Sequence, residues 1–508
     1  MAAGPPPQPS TDAATAAERG WFGLARELWS QAAARDGRTD RQPAPADGLA
    51  RLEAARRQAD TGADARDAAA GNRWSAGDWP QRWQERHDDE RCEAAGVDGL
   101  TVAGGLVIWT TDRGIHAIDL ATGGQPWLAA DPTGRDTTLF PRGVAARGPP
   151  AAAPPQPVSA PPVCAGRCYA TLVADGNRRL LVCLDLSAAA EGRLAWVVDA
   201  ATLRTSAPEG VGAALRFDGQ PTVDHDLCLV VMQSDSPRLG LLLAAFDTRD
   251  GSLRWLRPAG PAITPGGLDL ARGRRQACLA EDRIVLATHA GSVRAFDRAG
   301  NAVWTTDVPA AAAATDDLRP AIFARDRLLL ASSDPPGVVA LEPRQGRIAW
   351  QWTAAADASV DVLGVSGDGV VIGTRSPDGT AVLRRLTLAD GRETARTDPT
   401  SMPLHAAGRA AVADATVFWP VRSRPAGPAA AAEDANQGDG LLVEVLDATT
   451  LVRRRPPLAV PSLPPRAAAC GGTVGVAVAA GSLVLAGPGL MTCWQPARSA
   501  DESTAENR

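Results

Sequence analysis

The amino-acid sequence predicts an all-β protein, an eight-bladed β-propeller of four-stranded antiparallel blades that follows a short α-helical N-terminal segment. After Gly96, short apolar or β-branched runs alternate with turns rich in Gly, Asp and Asn, which indicates strands joined by tight connections. One sequence unit then recurs along the rest of the chain. Its basic period of about 45 residues, lengthened by insertions, is the size of one four-stranded blade.

The N-terminal segment differs in character from the rest of the chain. Residues 1–15 are rich in Pro and Ala, and this composition predicts disorder. In 16–73, apolar residues recur at helical spacing on both sides of a Pro-rich break, which predicts two amphipathic helices. These helices could dock a partner or lie against the main domain. We assign the propeller to 74–498 and a polar, disordered tail to 499–508.

The repeated unit combines an acidic anchor residue, a turn containing glycine and a tryptophan that ends the last strand. The anchor carboxylate can accept hydrogen bonds from the next backbone amides, and glycine supplies a positive φ that closes the hairpin. The broad indole can cover the gap between neighbouring sheets, which explains 14 Trp beside one Tyr. Five copies are clear: Asp119, Gly123 and Trp127; Asp185, Gly192 and Trp196; Asp247, Gly251 and Trp255; Asp297, Gly300 and Trp304; and Glu342, Gly346 and Trp350.

Three further copies are degenerate. The sixth has Thr387 at the anchor position and keeps Gly391, the seventh keeps Asp447 but has neither Gly nor Trp, and the eighth has Trp494 at the anchor position. The chain then passes into a polar tail, so the eighth repeat has no outer strand of its own. We predict that the segment 73–88, which contains Trp74, Trp79 and Trp83, supplies this strand and closes the ring; the alternative is a simple linker.

Three stretches of low complexity interrupt the repeats. They are 147–162, 309–317 and 424–440, and they are rich in Pro, Ala and Gly. Such composition predicts mobile surface loops rather than additional blades.

The unit around Asp119 reads IHAIDLATGGQPW and resembles the PQQ-type β-propeller repeat. That repeat occurs in quinoprotein dehydrogenases and in the cofactor-free, BamB-like proteins of outer-membrane assembly. The resemblance extends over roughly 75–496, and the segment DWPQRW is also similar to the Trp-Pro opening of bacterial proteins of this class. The resemblance implies an eight-bladed fold and, for the BamB-like branch, a role in the cell envelope.

The sequence motifs that bind the cofactors of quinoprotein alcohol dehydrogenases do not occur in this sequence. It contains no pair of adjacent Cys, no C-x-x-C-H haem attachment motif and no Lys, since all 52 basic residues are Arg. The absence of Lys also excludes a P-loop, a kinase-type ATP site and a Schiff-base mechanism. A net charge of −6 gives no electrostatic footprint for nucleic acid.

Candidate metal ligands are scattered along the chain. Asp434, Asn436 and Asp439 resemble part of a calcium loop, but the Gly stands at the wrong place for an EF-hand, and a solvated acidic loop is the simpler interpretation. Cys164 and Cys168 could pair or bind a metal, although small buried strand residues would look the same. The histidines occupy different positions in their repeats and predict no ring of ligands: His87, His116, His225, His289 and His405. We therefore predict no catalytic, cofactor-binding or metal-binding residue.

The sequence leaves the compartment open. No signal peptide and no lipid-anchor Cys is readable, which favours the cytoplasm as the chain is written, whereas the resemblance favours the envelope. The longest uncharged stretch, 467–496, is broken by Gly and Pro and predicts strand, turn and strand rather than a membrane span.

We expect a non-catalytic scaffold that binds a protein partner through propeller loops or one face, without nucleic acid, cofactor or an integral membrane span. The first alternative is an enzyme, either a quinoprotein-like dehydrogenase or a hydrolase with an unrecognised site. The second is a propeller that senses a small ligand in its central funnel.

Overall fold

The structure, a computed structural model, is an eight-bladed β-propeller, as the sequence predicts. It describes residues 81–86, 100–111, 114–124, 138–140, 160–174, 178–187, 192–206, 215–234, 240–261, 275–288, 291–308, 321–333, 335–356, 358–376, 380–398, 404–423, 441–460, 474–479, 481–487 and 490–495.

The strands of each blade follow one another in the chain and pair antiparallel with their neighbours. Blade 1 contains Leu100–Ala103, Leu106–Thr111, Gly114–Asp119 and Thr138–Phe140; blade 2 contains Val163–Cys164, Arg167–Ala174, Arg178–Asp185 and Arg193–Asp199. Blade 3 contains a split first strand, Leu215–Phe217 and Thr222–Asp224, then Leu227–Ser234, Gly240–Asp247 and Leu253–Pro261. Blade 4 contains Cys278–Ala280, Arg283–Ala287, Ser292–Phe296 and Ala302–Asp307.

The second half of the ring repeats this arrangement. Blade 5 contains Ile322–Ala324, Arg327–Ser333, Pro336–Leu341 and Ile348–Thr353; blade 6 contains Ser359–Ser366, Gly369–Arg375, Ala381–Thr387 and Glu393–Arg396. Blade 7 has a split first strand, Leu404–Ala406 and Ala411–Ala413, then Thr416–Ser423, Leu441–Asp447 and Leu458–Ala459. Blade 8 contains Gly475–Ala479, Ser482–Gly487, Leu490–Trp494 and Gln81–Arg86.

The first strand of each blade is the innermost, because first strands of neighbouring blades contact one another around the ring. The middle strands are covered on both faces by adjacent blades. Leu227–Ser234, for example, is buried along its whole length, which is why these strands read as continuous apolar runs rather than as alternating patterns. A short 3-10 helix, Ala200–Ser206, follows blade 2 and was not apparent from the repeat pattern.

The hydrophobic core is divided among the seams between blades. Eight clusters of buried apolar side chains lie one in each seam, including the seam that joins blade 8 to blade 1. The cluster between blades 2 and 3 holds more buried aromatic side chains than any other of the eight, among them Tyr169, Phe217 and Phe246. The propeller is therefore held together by side-by-side packing of sheets, with no central core.

The ring closes in the way the sequence predicts. Gln81–Arg86 pairs antiparallel with Leu490–Trp494, and the register sets Trp83 opposite Cys493. The same pairing, Cys183 opposite Trp196, occurs in blade 2. The N-terminal part of the chain therefore supplies the outer strand of the last blade, so the ends of the ring are joined by backbone hydrogen bonds.

The register corrects the anchor predicted for the eighth repeat. In blade 1, the anchor Asp119 pairs with Leu106, the first residue of the second strand. In blade 8 the ladder pairs Leu483 with Trp494, so its continuation by one residue sets Ser482, the first residue of the second strand, opposite Gln495, and Gln495 Nε2 donates to Ser482 Oγ at 2.7 Å. Gln495 therefore holds the anchor position, and Trp494 is the bulky apolar residue before it, buried between blades 7 and 8. This repeat has no acidic residue to mark its turn, so only the strand ladder could fix the alignment.

Strand direction divides the connections between two faces of the ring. Turns from first to second and from third to fourth strands lie on one face, which carries the anchor residues and is named the anchor face. Turns from second to third strands and the links between blades lie on the other, named the loop face. The three predicted insertions, 147–162, 309–317 and 424–440, all connect strand ends on the loop face.

Several sequence predictions fall outside the described residues. These are the disordered segment 1–15, the helices of 16–73 and the tail 499–508, and they stay predictions. Within the part of the chain that the structure describes, no helix has the length and apolar character needed to cross a membrane. The uncharged stretch 467–496 contains the first three strands of blade 8, in agreement with the predicted alternation of strand and turn.

Candidate functional site

The anchor turns are built alike in successive blades. Asp119 Oδ1 accepts hydrogen bonds from the backbone nitrogens of Ala121 and Thr122, at 3.0 and 2.9 Å. Asp185, Asp247 and Asp297 accept in the same way from Ser187, Arg249 and Asn301, at 2.8 Å in each case. The turn glycines have φ between +67° and +83° in these blades, from Gly192 to Gly300. The carboxylate thus replaces water as the acceptor for amides that the turn leaves unpaired.

Four tryptophans join one blade to the next in an identical manner. The indole Nε1 of Trp196 donates to the carbonyl of Thr248, the residue after the anchor Asp247 of the following blade, at 3.1 Å. The corresponding bonds are Trp255 to Arg298 at 3.0 Å, Trp304 to Pro343 at 2.9 Å, and Trp350 to Leu388 at 2.8 Å. Each indole is therefore hydrogen-bonded to the anchor turn of the following blade. Trp127 lies outside the described residues.

The turn glycine of the receiving blade leaves room for the ring. A Cβ on Gly251 would lie 2.7 Å from Cε3 of Trp196, and a Cβ on Gly300 would lie 2.7 Å from Cδ2 of Trp255. Gly346 and Gly391 face Trp304 and Trp350 in the same way. Two constraints therefore favour glycine at this position. The backbone has a positive φ, and the indole of the preceding blade packs against the α-carbon. The sequence indicated only the first.

The seam between blades 6 and 7 uses a different pair. The register places Ala395 where the other outer strands carry Trp, and blade 7 has Leu451 where the other turns carry Gly. Leu451 keeps the turn, since its backbone nitrogen donates to the carbonyl of Asp447 at 2.7 Å, although its φ is +56°. Its side chain is buried in the core of this seam, and Ala395 packs against that core. A large residue on blade 7 thus replaces the large residue missing from blade 6.

Ion pairs on the anchor face also connect blades. Arg298 of blade 4 bonds Asp224 and Asp226 of blade 3, and Arg254 bonds Asp226 and Asp247, both at 2.7 Å. Hydrogen bonds from Arg254 lower the pKa of both Asp226 and Asp247. These carboxylates are thus committed to arginine rather than free to act as acids or bases.

Four of the described thiols are not suited to nucleophilic chemistry. Burial raises the pKa of Cys278 to about 11 and that of Cys183 to about 12, and burial also raises the pKa of Cys168 and of Cys228. Cys164 and Cys168 lie on the two strands of one tight hairpin, and neither forms a disulfide. The reactive form, the thiolate, is therefore suppressed at these four positions.

The histidines and acids in the described part of the chain do not converge on one site. His116 stacks on Trp109 in blade 1 with ring centroids 5.3 Å apart, and His225 is exposed on a turn of blade 3. His405 belongs to the first strand of blade 7, while His87, His289, Asp434, Asn436 and Asp439 lie outside the described residues. In the ranges that the structure describes, no group of three His, Cys, Asp or Glu side chains could hold a metal ion.

The strands around the central channel do not fit a quinone cofactor of PQQ type, which carries three carboxylates. Most of the described first strands are short and largely apolar, such as CLA, IFA and AVA. Among the described first strands, the single Arg is Arg216, whose guanidinium is already bonded to Gln233 Oε1. The channel therefore lacks, in its described part, the cationic lining that a tricarboxylate requires.

The comparisons with known proteins agree with this architecture. A family model described as "Outer membrane protein assembly factor BamB" matches residues 159–394 and 289–427, which together span more than half of the chain. A comparison with curated protein sequences gives no match.

The solved structures of similar fold include a BamB protein and two quinohemoprotein alcohol dehydrogenases. BamB from Moraxella catarrhalis is 14% identical, with 82% of this chain and 100% of that chain covered and a TM-score of 0.47. The quinohemoprotein alcohol dehydrogenase ADHIIG from Pseudomonas putida HK5 is 12% identical, with 85% and 81% covered and a TM-score of 0.49. The quinohemoprotein alcohol dehydrogenase from Comamonas testosteroni is 15% identical, with 92% and 85% covered and a TM-score of 0.50.

At such identities, a structural likeness shows the fold alone. The family model adds sequence evidence over blades 2 to 6 and the first part of blade 7, a region that includes the four docking tryptophans described above. The chain belongs to the family of PQQ-repeat β-propellers that the BamB model describes.

Proposed function

We propose that this protein is a non-catalytic scaffold and that the loop face of its propeller holds a protein partner. The observation that carries the proposal is the distribution of insertions, since all three long low-complexity segments connect strand ends on that face. Variable loops carried on a rigid frame are the usual place for recognition.

The anchor face supports the proposal by contrast. Its described turns are short and bonded internally through the anchor carboxylates, and arginines such as Arg298 and Arg344 pair with acids of the preceding blade. The bonds on the anchor face hold the blades together, so we assign partner binding to the loop face, where the insertions lie. The family description, an outer-membrane protein assembly factor, suggests the cell envelope as the setting and an assembly partner as the ligand.

The proposal is tested by shortening loops in the full-length chain. In separate variants, 147–160 and 424–440 are replaced by short Gly-Ser linkers, and partner capture is quantified after cross-linking in the native host. Loss of one captured protein from a loop variant, with an unchanged melting temperature, is the expected result. The matched control is the double substitution Glu281→Ala and Arg344→Ala on the anchor face, which should capture the partner normally.

Two outcomes would contradict this function. The first is capture that survives both loop replacements but is lost in the anchor-face control. The second is dye-coupled oxidation of alcohols or sugars by the protein after addition of PQQ and calcium, which would instead favour the dehydrogenase alternative. A saturable thermal shift with a small molecule and no turnover would favour ligand sensing.

A further inference from the structure

A polar layer lies between blades 3 and 4, at the end of this seam that faces the loop face. Blade 3 contributes the row Arg216, Gln233, Leu241 and Gly260, which are paired across its four strands. Leu241 belongs to the core of the seam between blades 3 and 4, so this row faces blade 4. Because cross-strand partners point to the same side of a sheet, Arg216 and Gln233 face blade 4 as well.

Blade 4 contributes two arginines to the same layer. Arg275, which precedes its first strand, forms a buried ion pair with Asp218 of blade 3. At the outer side of the layer, a Cβ on Gly260 would lie 3.9 Å from Nε of Arg294 and 3.3 Å from Cγ2 of Thr288. The two blades therefore approach each other closely at both ends of the layer.

The layer holds hydrogen-bond donors that nothing described accepts. Gln233 is 2% exposed and Arg275 is 7% exposed. Among the described residues, Gln233 Nε2, Arg275 Nε and Arg294 Nε are all buried without an acceptor. Buried donors without an acceptor cost free energy, and native proteins satisfy nearly all of them.

The layer is also positively charged. Among the described residues, it contains the buried Arg275, which donates to Asp218, and the half-buried Arg216 and Arg294. Asp307 stands one strand further out, at the exposed edge of blade 4. A guanidinium that is partly removed from water is stabilised by an anion beside it, and the structure shows no ion pair for Arg294 among the described residues.

We propose that this layer, named the seam-3/4 layer and made of Arg216, Asp218, Gln233, Arg275 and Arg294, is a binding site for a small oxyanion. The ligand group is a carboxylate or a phosphate, because both present several acceptor oxygens to guanidinium and amide donors. This inference does not depend on the proposed scaffold function. It applies equally to a free anion and to an acidic group that a partner inserts from the loop face.

The first test compares sodium phosphate, sodium acetate and sodium chloride at equal ionic strength, with the full-length chain. Thermal unfolding and isothermal titration calorimetry should show a saturable effect of phosphate or acetate that chloride does not reproduce. The more effective anion identifies the oxyanion class. Equal responses to all three salts would overturn the proposal.

The second test localises the effect. Arg294→Met should weaken binding of the effective anion at least tenfold, whereas Arg347→Met, an exposed arginine paired with Glu342 on the anchor face, should leave it unchanged. Gln233→Glu keeps an acceptor for Arg216 and places a carboxylate in the layer. It should raise the melting temperature without added anion and abolish the anion response. Normal anion binding in the Arg294 and Gln233 variants would place the ligand elsewhere and refute the site.

Discussion

The gap between neighbouring blades is filled in two different ways in this molecule. The four successive seams from blade 2 to blade 6 use one way, and the seam between blades 6 and 7 uses the other. In the first group, a large indole on the outer strand lies against a glycine of the next turn. In the second, the outer strand has Ala395 and the next turn has Leu451, whose side chain is buried in the seam. The comparison shows that a large side chain always fills the gap between an outer strand and the next anchor turn. The blade that supplies this side chain differs between the two kinds of seam.

The two solutions differ in backbone cost. Glycine adopts positive φ readily, whereas Leu451 at φ +56° holds a conformation that costs about 1–2 kcal/mol for a residue with a Cβ. The indole solution also supplies a hydrogen bond, from Nε1 to the neighbouring anchor turn, that leucine cannot make. We therefore expect the seams with tryptophan to be the stronger ones, and the following predictions test that difference.

The largest effect should come from opening the ring at its closing seam. Deleting residues 70–90 removes the outer strand Gln81–Arg86 and exposes the edge of Leu490–Trp494. We expect a sharp fall of the melting temperature, because the pairing that joins the ends of the ring is lost. Shortening 424–440 by six residues is the control and should change the melting temperature little, since loop length contributes weakly to stability. An unchanged melt after the deletion would refute closure by this strand.

Removing one docking indole should be the next largest effect. Trp350→Ala abolishes the 2.8 Å bond to the Leu388 carbonyl and leaves a void against Gly391. Truncation of a buried Trp costs about 3–5 kcal/mol. Urea unfolding of this variant should be compared with Trp352→Ala on the same strand, which is half-buried and should cost less. Equal losses for the two would argue against docking as the source of the stability.

Substituting a turn glycine separates the two reasons for its presence. Gly346→Ala places a methyl group against the ring of Trp304, whereas Gly481→Ala, at φ +68°, meets nothing within 4 Å. Gly481→Ala should lower the free energy of unfolding only by the cost of positive φ for a residue with a Cβ, about 1–2 kcal/mol. Gly346→Ala should lower the free energy of unfolding by about 1–3 kcal/mol more, because the added methyl group overpacks the site. If urea midpoints fall equally, the indole does not select the glycine.

The smallest net effect should come from converting the exceptional seam to the regular pair. Ala395→Trp alone overpacks against Leu451, and Leu451→Gly alone leaves the core of the seam underfilled. The double variant carries the Trp and Gly of the other seams and should regain most of the loss. A double-mutant cycle should give a favourable coupling of roughly 1 kcal/mol or more. Additive losses would show that the two positions do not share a packing role.

Much of the fold could be predicted because the repeat is local. The acid, the glycine and the tryptophan of a unit such as Asp247, Gly251 and Trp255 lie within one hairpin, so short-range turn chemistry fixes their spacing. Closure by the segment around Trp83 also followed from counting strands, since one outer strand was missing at the C-terminal end. The eighth anchor was placed one residue early because neither Trp494 nor Gln495 carries the acidic signal.

The relation between blades could not be read in the same way. The carbonyl that receives Trp350 belongs to Leu388, a residue whose type is irrelevant because only its backbone takes part. The compensation of Ala395 by Leu451 joins two degenerate repeats whose changes look unrelated in the sequence. The buried donors of Gln233 and Arg294 likewise come from different blades.

The sequence by itself determined that this chain forms a closed ring of eight similar sheets, because strand periodicity and turn residues act over a few positions. The tertiary structure decided what fills each seam, where the anchor of the last blade lies, and that the insertions share one face. Those features depend on register and on contacts between blades, where residues distant in the chain compete for the same volume and the same acceptors.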